Sequence, residues 1–446
     1  MAECTNAGTV PIARAVETGY NGSLMKPFAV DLIEEDWQVV WRFGSSGRVE
    51  HAVHRRGGVL RRAFHGGFSS QSIEVASIAE GLKATGRKYR LDESWGGVIP
   101  LADDPGPVQK IVAPLREALA TLSQSRWQIT VRSRSNRRLI FNRREHPQIV
   151  RWLHHTLNLK LTSPGDGRTL EFAAGSFDQP TFHLEGLLAR VRNGLDAEAR
   201  RRPFGSLEGV PVVLGPGDGA IFFHEVLGHS LEADYIQQGL SPFSVADLGQ
   251  PVLGGEITLR TRLAGDPFFA HIPCDDEGEM AGEPVLVAGG RLRGILADTF
   301  TARTFSLPGA GHARTAGFFS PPWPRQFALY VDAGSADPRD IVAQTRRGVY
   351  AREFGDGQVM FGRGQFQFVL RDAWLIEDGE ITVPLGGVTV AGPIRETLRQ
   401  IGAVGNDFRL DRGASFCTKN GQTLPVRVGQ PTVRIDRLTV WEGIDV

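Results

Sequence analysis

Apolar and polar residues partly alternate through PFAVDLIEEDWQVVWRFG, residues 27–44, the two-residue period of a strand with one buried face, and Ser45-Ser46-Gly47 follows as a turn. A first sheet is expected to begin there and continue toward residue 95. From Asp104 to Leu122 the period changes. A Pro-Gly-Pro start precedes apolar residues at Ile111, Val112, Leu115, Leu119 and Leu122, the spacing of an amphipathic helix. RWQITVRSRSNRRLIFNRRE, residues 126–145, alternates again and reads as an antiparallel hairpin with Ser135-Asn136 at its turn. His154-His155, flanked by arginines, reads as the solvated face of a helix, and Leu184–Arg202 as another helix. Arg200-Arg201-Arg202 before Pro203 reads as a solvated helix end rather than a binding patch, and marks a domain edge.

Past that edge Val210–Leu214 forms a short strand of buried type, stopped by GPGDG, and AIFFHEVLGHSLEAD has helical character. From about Ile257 onward, glycine-rich turns separate short apolar runs, with one helix around Pro393–Ile401. The expected class is α+β. A mixed α/β unit over residues 1–203 is followed by a β-rich unit over 204–446 that carries the His-containing helix.

A length of 446 residues suits two or three domains with substantial cores. Lys+Arg and Asp+Glu each total 50, so there is no global field for holding nucleic acid or an anionic membrane surface. No stretch approaches the roughly 18 apolar residues of a membrane span, and the first residues lack a signal-peptide pattern. The expectation is a soluble, cytoplasmic protein without nucleic-acid or membrane partners. Cys4, Cys274 and Cys417 are too few and scattered for a disulfide framework. For Cys4 and Cys274 the ordinary small-residue role is expected.

The chemistry concentrates in the helical segment, where His224, Glu225 and His229 interrupt an apolar run. Unpaired polar groups in such a place are expensive, so a shared task or separate polar partners must account for them. Two neutral imidazoles suit zinc, and Glu225 could accept a proton from water at the metal. The spacing resembles a zincin H-E-x-x-H with one residue added. On a regular helix, residues five apart diverge by about 140°, which would point the two rings to different faces. A wide turn with i→i+5 hydrogen bonding would return them to one face, and Gly228 is the residue best suited to permit it. The other reading is a plain helix whose two histidines bond separate neighbours.

HEVLGHSLEAD resembles the metal motif of the TldD/PmbA family of peptidases, and the resemblance extends over residues 205–443. It is carried further by DDEGEMAGEPVLVAGGRLRGIL, beginning at Asp275-Asp276-Glu277-Gly278, by GAGHAR and PWPR at Gly309–Arg314 and Pro322–Arg325, by GVYAREFGDGQVMFGRGQFQF, and by SFCTKNGQTLPVRVGQPTVRI near the end. The resemblance implies that Cys417 completes a zinc-ligand set with His224 and His229, one Zn2+ per active subunit. It implies a zinc-dependent metallopeptidase that hydrolyses short or unfolded peptides by attack of water at the metal, with Glu225 as general base. It also implies a homodimer, or a heterodimer with a motif-less TldE-like paralogue. The alternative is a non-catalytic peptide-binding or modulator subunit, as the family's motif-less members and its association with DNA gyrase modulation suggest. Arg314 and Arg325 are candidates for a peptide carboxylate or for structural salt bridges, and His312 and His271 for a substrate-side role. Two departures stand out: Gln326-Phe327-Ala328 where a Met-Thr-Asn type sequence follows in the family, and His312-Ala313 where an asparagine-arginine pair is expected. Both are expected to alter substrate contacts.

Overall fold

The alternation after Pro27 becomes a 17-residue strand, β1 (Phe28–Gly44), which pairs antiparallel on both sides. The computed structural model describes residues 28–443, apart from 46–48, 65–67, 76–77, 88–104, 123–125, 143–145, 163–167, 178–180, 281–284 and 310. With β2 (Val49–Phe64), β3 (Phe68–Glu74), β4 (Arg126–Phe141), β5 (Gln148–Thr162) and β6 (Thr169–Phe177), the first sheet has the order β3-β2-β1-β4-β5-β6. Helix α1 (Ile78–Thr85) packs on β1 and β2 through Leu82. The helices α2 (Pro105–Leu122) and α3 (Leu184–Arg200) cover part of one face. Val112, Leu115 and Leu119 of α2 and Val191 of α3 pack with Trp41, Val131 and Leu157, all at most 5% exposed, as the spacing predicts. Arg200 ends α3 on the surface, paired with Asp196 one turn earlier.

Two expectations fail in this sheet. Residues 126–141 form one unbroken strand, not a hairpin. Ser135 and Asn136 are polar because they are packed on both sides rather than turning: both are buried, and Asn136 Nδ2 donates to the Glu34 carboxylate. Beside them Arg138, only 2% exposed, reaches Glu34 Oε1 at 3.0 Å and Asp276 Oδ1 at 2.5 Å, tying the sheet to the second half of the chain. His154 and His155 likewise lie in β5 and are buried, not on a solvated helix. His154 Nε2 donates to the Gly413 carbonyl at 2.7 Å and its ring stacks on Phe177. Charged and polar residues that looked solvated thus serve a face that docks against protein.

From Ser206 onward the chain builds two larger sheets and two small hairpins. One sheet orders Arg347–Met360, Ser206–Leu214, Val433–Glu442, Val388–Pro393, Gln365–Glu377 and Glu380–Leu385, with Ile401–Val404 also pairing Val433–Glu442. The other orders Arg291–Leu292, Val285–Ala288, Leu259–Arg260, Ala328–Val331, Arg427–Gln430 and Arg409–Leu410. The helical segment starting at Ile221 is apolar nearly all round because it shares a core with both: Phe222, Phe223, Val226, Leu227 and Leu231 pack with Val212 and Phe366 of the first and Leu259 and Leu329 of the second. The expected late helix is present as Ile394–Arg399. Two further short helices, Thr299–Thr304 and Pro338–Ala343, interrupt stretches read as strands and turns. Six residues are too few to show a period, but each follows an aspartate cap, Asp298 or Asp337. Among the described residues no helix is long and apolar enough to cross a membrane.

Candidate metal centre

Gly217, at φ 81°, turns the chain out of the strand Ser206–Leu214 and into the helical segment. A short α-helical stretch, Ile221–Phe223, is followed by a wide turn over His224–Gly228, closed by the His229 N–H on the His224 carbonyl. This is the expected i→i+5 bond, and it brings the two imidazoles together with ring centroids 4.9 Å apart. The reason for glycine at 228 is different from the expected one. Its φ of −57° and ψ of −54° are ordinary helical values, so backbone freedom is not needed. Space is: a methyl group there would coincide with the Gln326 carboxamide, whose Nε2 donates to the same His224 carbonyl at 3.0 Å.

The third group arrives from a hairpin. Strands Phe416–Lys419 and Gln422–Pro425 join through Asn420 and Gly421, both at positive φ, the requirement of a tight two-residue hairpin turn. Strand alternation directs Cys417 and Lys419 inward and Phe416 and Thr418 outward. Cys417 Sγ lies 3.3 Å from His229 Nε2, and one ligand atom from each of His224, His229 and Cys417 lies within 4.8 Å of the others. The edges of a tetrahedral zinc site with these ligands would be about 3.3–3.6 Å. His224 is 1% exposed, yet neither ring nitrogen has a hydrogen-bond partner among the described residues. A buried imidazole left so is costly unless a ligand takes it, and two imidazoles with a thiolate leave the fourth position of a catalytic site open. The donor set therefore fits a divalent ion of zinc type.

Charge in the site is arranged around the same atoms. Burial opposes ionisation of the Cys417 thiol, but the adjacent imidazoles, His229 foremost, hold it well below its ordinary range. Burial likewise opposes a charged His229, and the Glu232 carboxylate and Cys417 raise it well above an ordinary histidine. Without a metal the pair favours thiolate and imidazolium; a metal would take the place of that proton. Glu232 Oε2 lies 3.0 Å from His229 Nδ1, which fixes the ring and leaves Nε2 free for a ligand bond. Lys419 Nζ bridges Glu232 Oε2 and Asp234 Oδ1, each at 2.7 Å, donates to the Pro324 carbonyl at 3.0 Å, and stands over the Tyr235 ring. Although burial alone would raise the Glu232 carboxyl, His229 and Lys419 pull it down to about 2. Glu225 remains one-third exposed, with its carboxylate oxygens 4.0 Å from His224 Nε2 and 3.9 Å from His229 Nε2. It flanks both rings without bonding either.

Sequence reasoning did not find Glu232 and Lys419 as supports of the ligands. Both had a signal: Glu232 lies three residues past His229, and Lys419 is two past Cys417 on a strand. The other sequence candidates are placed as follows. Arg314 donates to the Gln326 and Pro425 carbonyls, and Arg325 to the Gln422 and Cys417 carbonyls and to Cys417 Sγ. Both guanidinium groups are buried, at 4% and 0% exposed, and among the described residues neither forms the salt bridge considered as the alternative. His312, 5% exposed, is pushed down to about 4 by burial, with Glu232 opposing. His271 is exposed beside a cleft lined by Arg151, Arg262 and Phe269. Gln326 and Phe327, read as altered substrate contacts, instead pack internally, Gln326 on the metal-site helix and Phe327 beneath Arg314. Cys274 is buried, and Cys4 lies outside the described residues.

Residues 208–442 match the family profile described as PmbA/TldA metallopeptidase C-terminal domain. Over 231 residues the chain is 36% identical to a protein of Haemophilus influenzae named Metalloprotease TldD homolog, covering 52% of this chain and 48% of that one. It is 29% identical over 232 residues to the Zinc metalloprotease TldD homolog of Saccharolobus solfataricus, covering 52% and 51%. The chain thus spans about half the length of these curated relatives. In fold it resembles the crystal structure of TldE from Thermococcus kodakarensis, with a TM-score of 0.68 at 15% identity over 93% of this chain and 96% of that one.

Proposed function

Since the chain belongs to the PmbA/TldA metallopeptidase family, we propose that it is a zinc-dependent peptide-bond hydrolase in which His224, His229 and Cys417 hold one zinc ion. The observation that carries this reading is the convergence of three buried ligand atoms within 4.8 Å, flanked by the half-open Glu225 carboxylate. The relative named as a zinc metalloprotease supports the choice of metal.

Zinc bound there would supply Lewis acidity toward a carbonyl oxygen and acidify a water molecule. The chain's own residues do the rest. Glu225 takes the proton of the attacking water and returns it to the leaving amine, a role suited to a carboxylate that flanks both ring nitrogens and is reachable from solvent. Glu232 accepts from His229 Nδ1 and so keeps Nε2 as the electron-pair donor, while Lys419 holds Glu232 in place. The substrates in this reading are short or unfolded peptides, since an extended chain can add its main-chain hydrogen bonds to a strand edge with little side-chain demand. A homodimer or a pairing with a motif-less paralogue, a cytoplasmic location, and the division at residue 203 belong to the same proposal.

The test is Glu225→Gln. The variant is expected to keep one zinc per chain by elemental analysis and to lose peptide cleavage by about a hundredfold or more. Near-normal turnover would assign the proton transfer elsewhere. A native protein that carries no zinc and cleaves nothing in a peptide library, alone or with a motif-less partner, would favour the non-catalytic peptide-binding subunit instead.

A further inference from the structure

Two of the four buried arginines among the described residues meet carboxylates. Arg62, 8% exposed, pairs with Glu277 and Asp298, and Arg138, 2% exposed, with Glu34 and Asp276. Arg325 differs from these. It is fully buried, its Nη1 donates to the Gln422 carbonyl at 2.8 Å, and its Nη2 is shared between the Cys417 carbonyl at 2.6 Å and Cys417 Sγ at 3.0 Å. Its Nε has no hydrogen-bond partner among the described residues. Arg314 behind it is also buried and bonds only carbonyls while standing over the Phe327 ring at 4.3 Å. An unpaired cation in such a place is strongly unfavourable. Among the described residues, the one group within hydrogen-bond reach of Arg325 that is able to carry a negative charge is the Cys417 sulfur.

We propose that Arg325 is the buried counter-ion of the Cys417 thiolate and donates a charge-assisted hydrogen bond to that sulfur in the metal-loaded protein. The inference rests on the reading of His224, His229 and Cys417 as a metal site. The geometry gives Arg325 two positioning effects. Its fork holds the carbonyl and the sulfur of the same residue, so Sγ is aimed at His229 Nε2 before any ion arrives. Its Nη1 bond to Gln422, the register partner of Lys419, clamps the opposite strand of the hairpin. Electronically, a cationic donor draws negative charge away from the thiolate. The sulfur then gives less to the ion, which stays more electrophilic than a bare two-histidine, one-thiolate set would leave it.

Cobalt substitution reads this directly, because the thiolate-to-cobalt charge-transfer band reports how electron-rich the sulfur is. In the cobalt-loaded full chain, Arg325→Gln is expected to move the band to longer wavelength, and Arg325→Lys, which restores a cation, to return it toward the native position. An unchanged band in Arg325→Gln at full cobalt occupancy would overturn the proposal while leaving the metal site intact. Because a buried arginine variant can fail to fold, the native protein loaded with 113Cd provides a second measurement. A scalar coupling from cadmium to an Arg325 guanidinium proton is expected across the hydrogen bond, and its absence with cadmium bound would equally overturn the assignment. A native protein showing no band that depends on Cys417 would instead remove the metal reading, and this inference with it.

Discussion

Gly228→Ala tests the packing of the wide turn, because the expected sign depends on one neighbour. The backbone at 228 is helical, so alanine by itself should be favourable by about 1 kcal/mol over glycine in a helix interior. Against this stands the Gln326 carboxamide, which occupies the volume the methyl would need and is itself 1% exposed, with no room to swing into solvent. Displacing it breaks the bond from Gln326 Nε2 to the His224 carbonyl, about 1 kcal/mol. Overpacking of this kind adds about 1–3 kcal/mol. The net expectation is a loss of about 1–3 kcal/mol. Urea unfolding of the metal-free protein, with midpoint and slope compared between variants, measures it. In a Gln326→Ala background the obstacle is gone while the His229 N–H still satisfies the His224 carbonyl, so the same substitution should become neutral or stabilising. An equal loss in both backgrounds would refute the assignment of the glycine to this contact.

Three further outcomes are expected. Cys417→Ser or His224→Ala should lose bound zinc and peptide cleavage together; elemental analysis showing full occupancy with unchanged turnover would dismiss the ligand set. Lys419→Met should destabilise the protein by about 3–5 kcal/mol in chemical denaturation, because Glu232 and Asp234 would remain buried without their cation. His155→Leu should flatten the acid limb of stability. Burial, aided by His154, pushes His155 down to about 4, below its unfolded value near 6.5, so its contribution is complete above about pH 6.5 and is lost as pH falls toward 4. Urea midpoints between pH 7.5 and 4.5 check this, and a slope unchanged by the substitution would contradict it.

What could be read from sequence followed from how locally each signal is encoded. The amphipathic α2 and α3 carry their own period, and the wide turn was inferable because two ligands five apart cannot otherwise share a side of one helix. The errors share one cause. At Ser135-Asn136 and His154-His155, polar residues read locally as a turn or as solvent-facing, whereas each pair serves a face buried by partners more than 100 residues away: Asn136 meets Glu34 and His154 meets Gly413. A single sequence carries no local mark of such docking. The same holds for Gln326, whose meaning depends on Gly228, 98 positions earlier, and for Arg325, open in the sequence between a peptide carboxylate and a salt bridge, whose Nη2 meets Cys417. The Asn420-Gly421 turn is a local signal that the sequence does offer, since an Asn-Gly pair marks a two-residue hairpin turn, and it aligns Cys417 with Lys419 on one face of its strand.

Each of the three candidate ligands is oriented by a different buried device. His224 is presented by a wide turn whose carbonyl is held twice, His229 by the Glu232–Lys419 pair, and Cys417 by the Arg325 fork. These devices come from three separate segments, and Cys417 is 188 residues from His229, so the sheets must be assembled before the three atoms can meet. That order distinguishes the site from small zinc modules, where the metal supplies the folding energy. Here the helix that carries the histidines is already fixed by Phe222, Phe223, Val226, Leu227 and Leu231 between two sheets, a core that contains no ligand. The polar groups around the candidate site then act on orientation and charge, while the hydrophobic core fixes the helix itself. It follows that conservative substitutions such as Arg325→Lys, which keep the buried charges balanced, can change the charge on Cys417 Sγ while the fold around it persists, whereas removing a cation, as in Lys419→Met, costs stability as well.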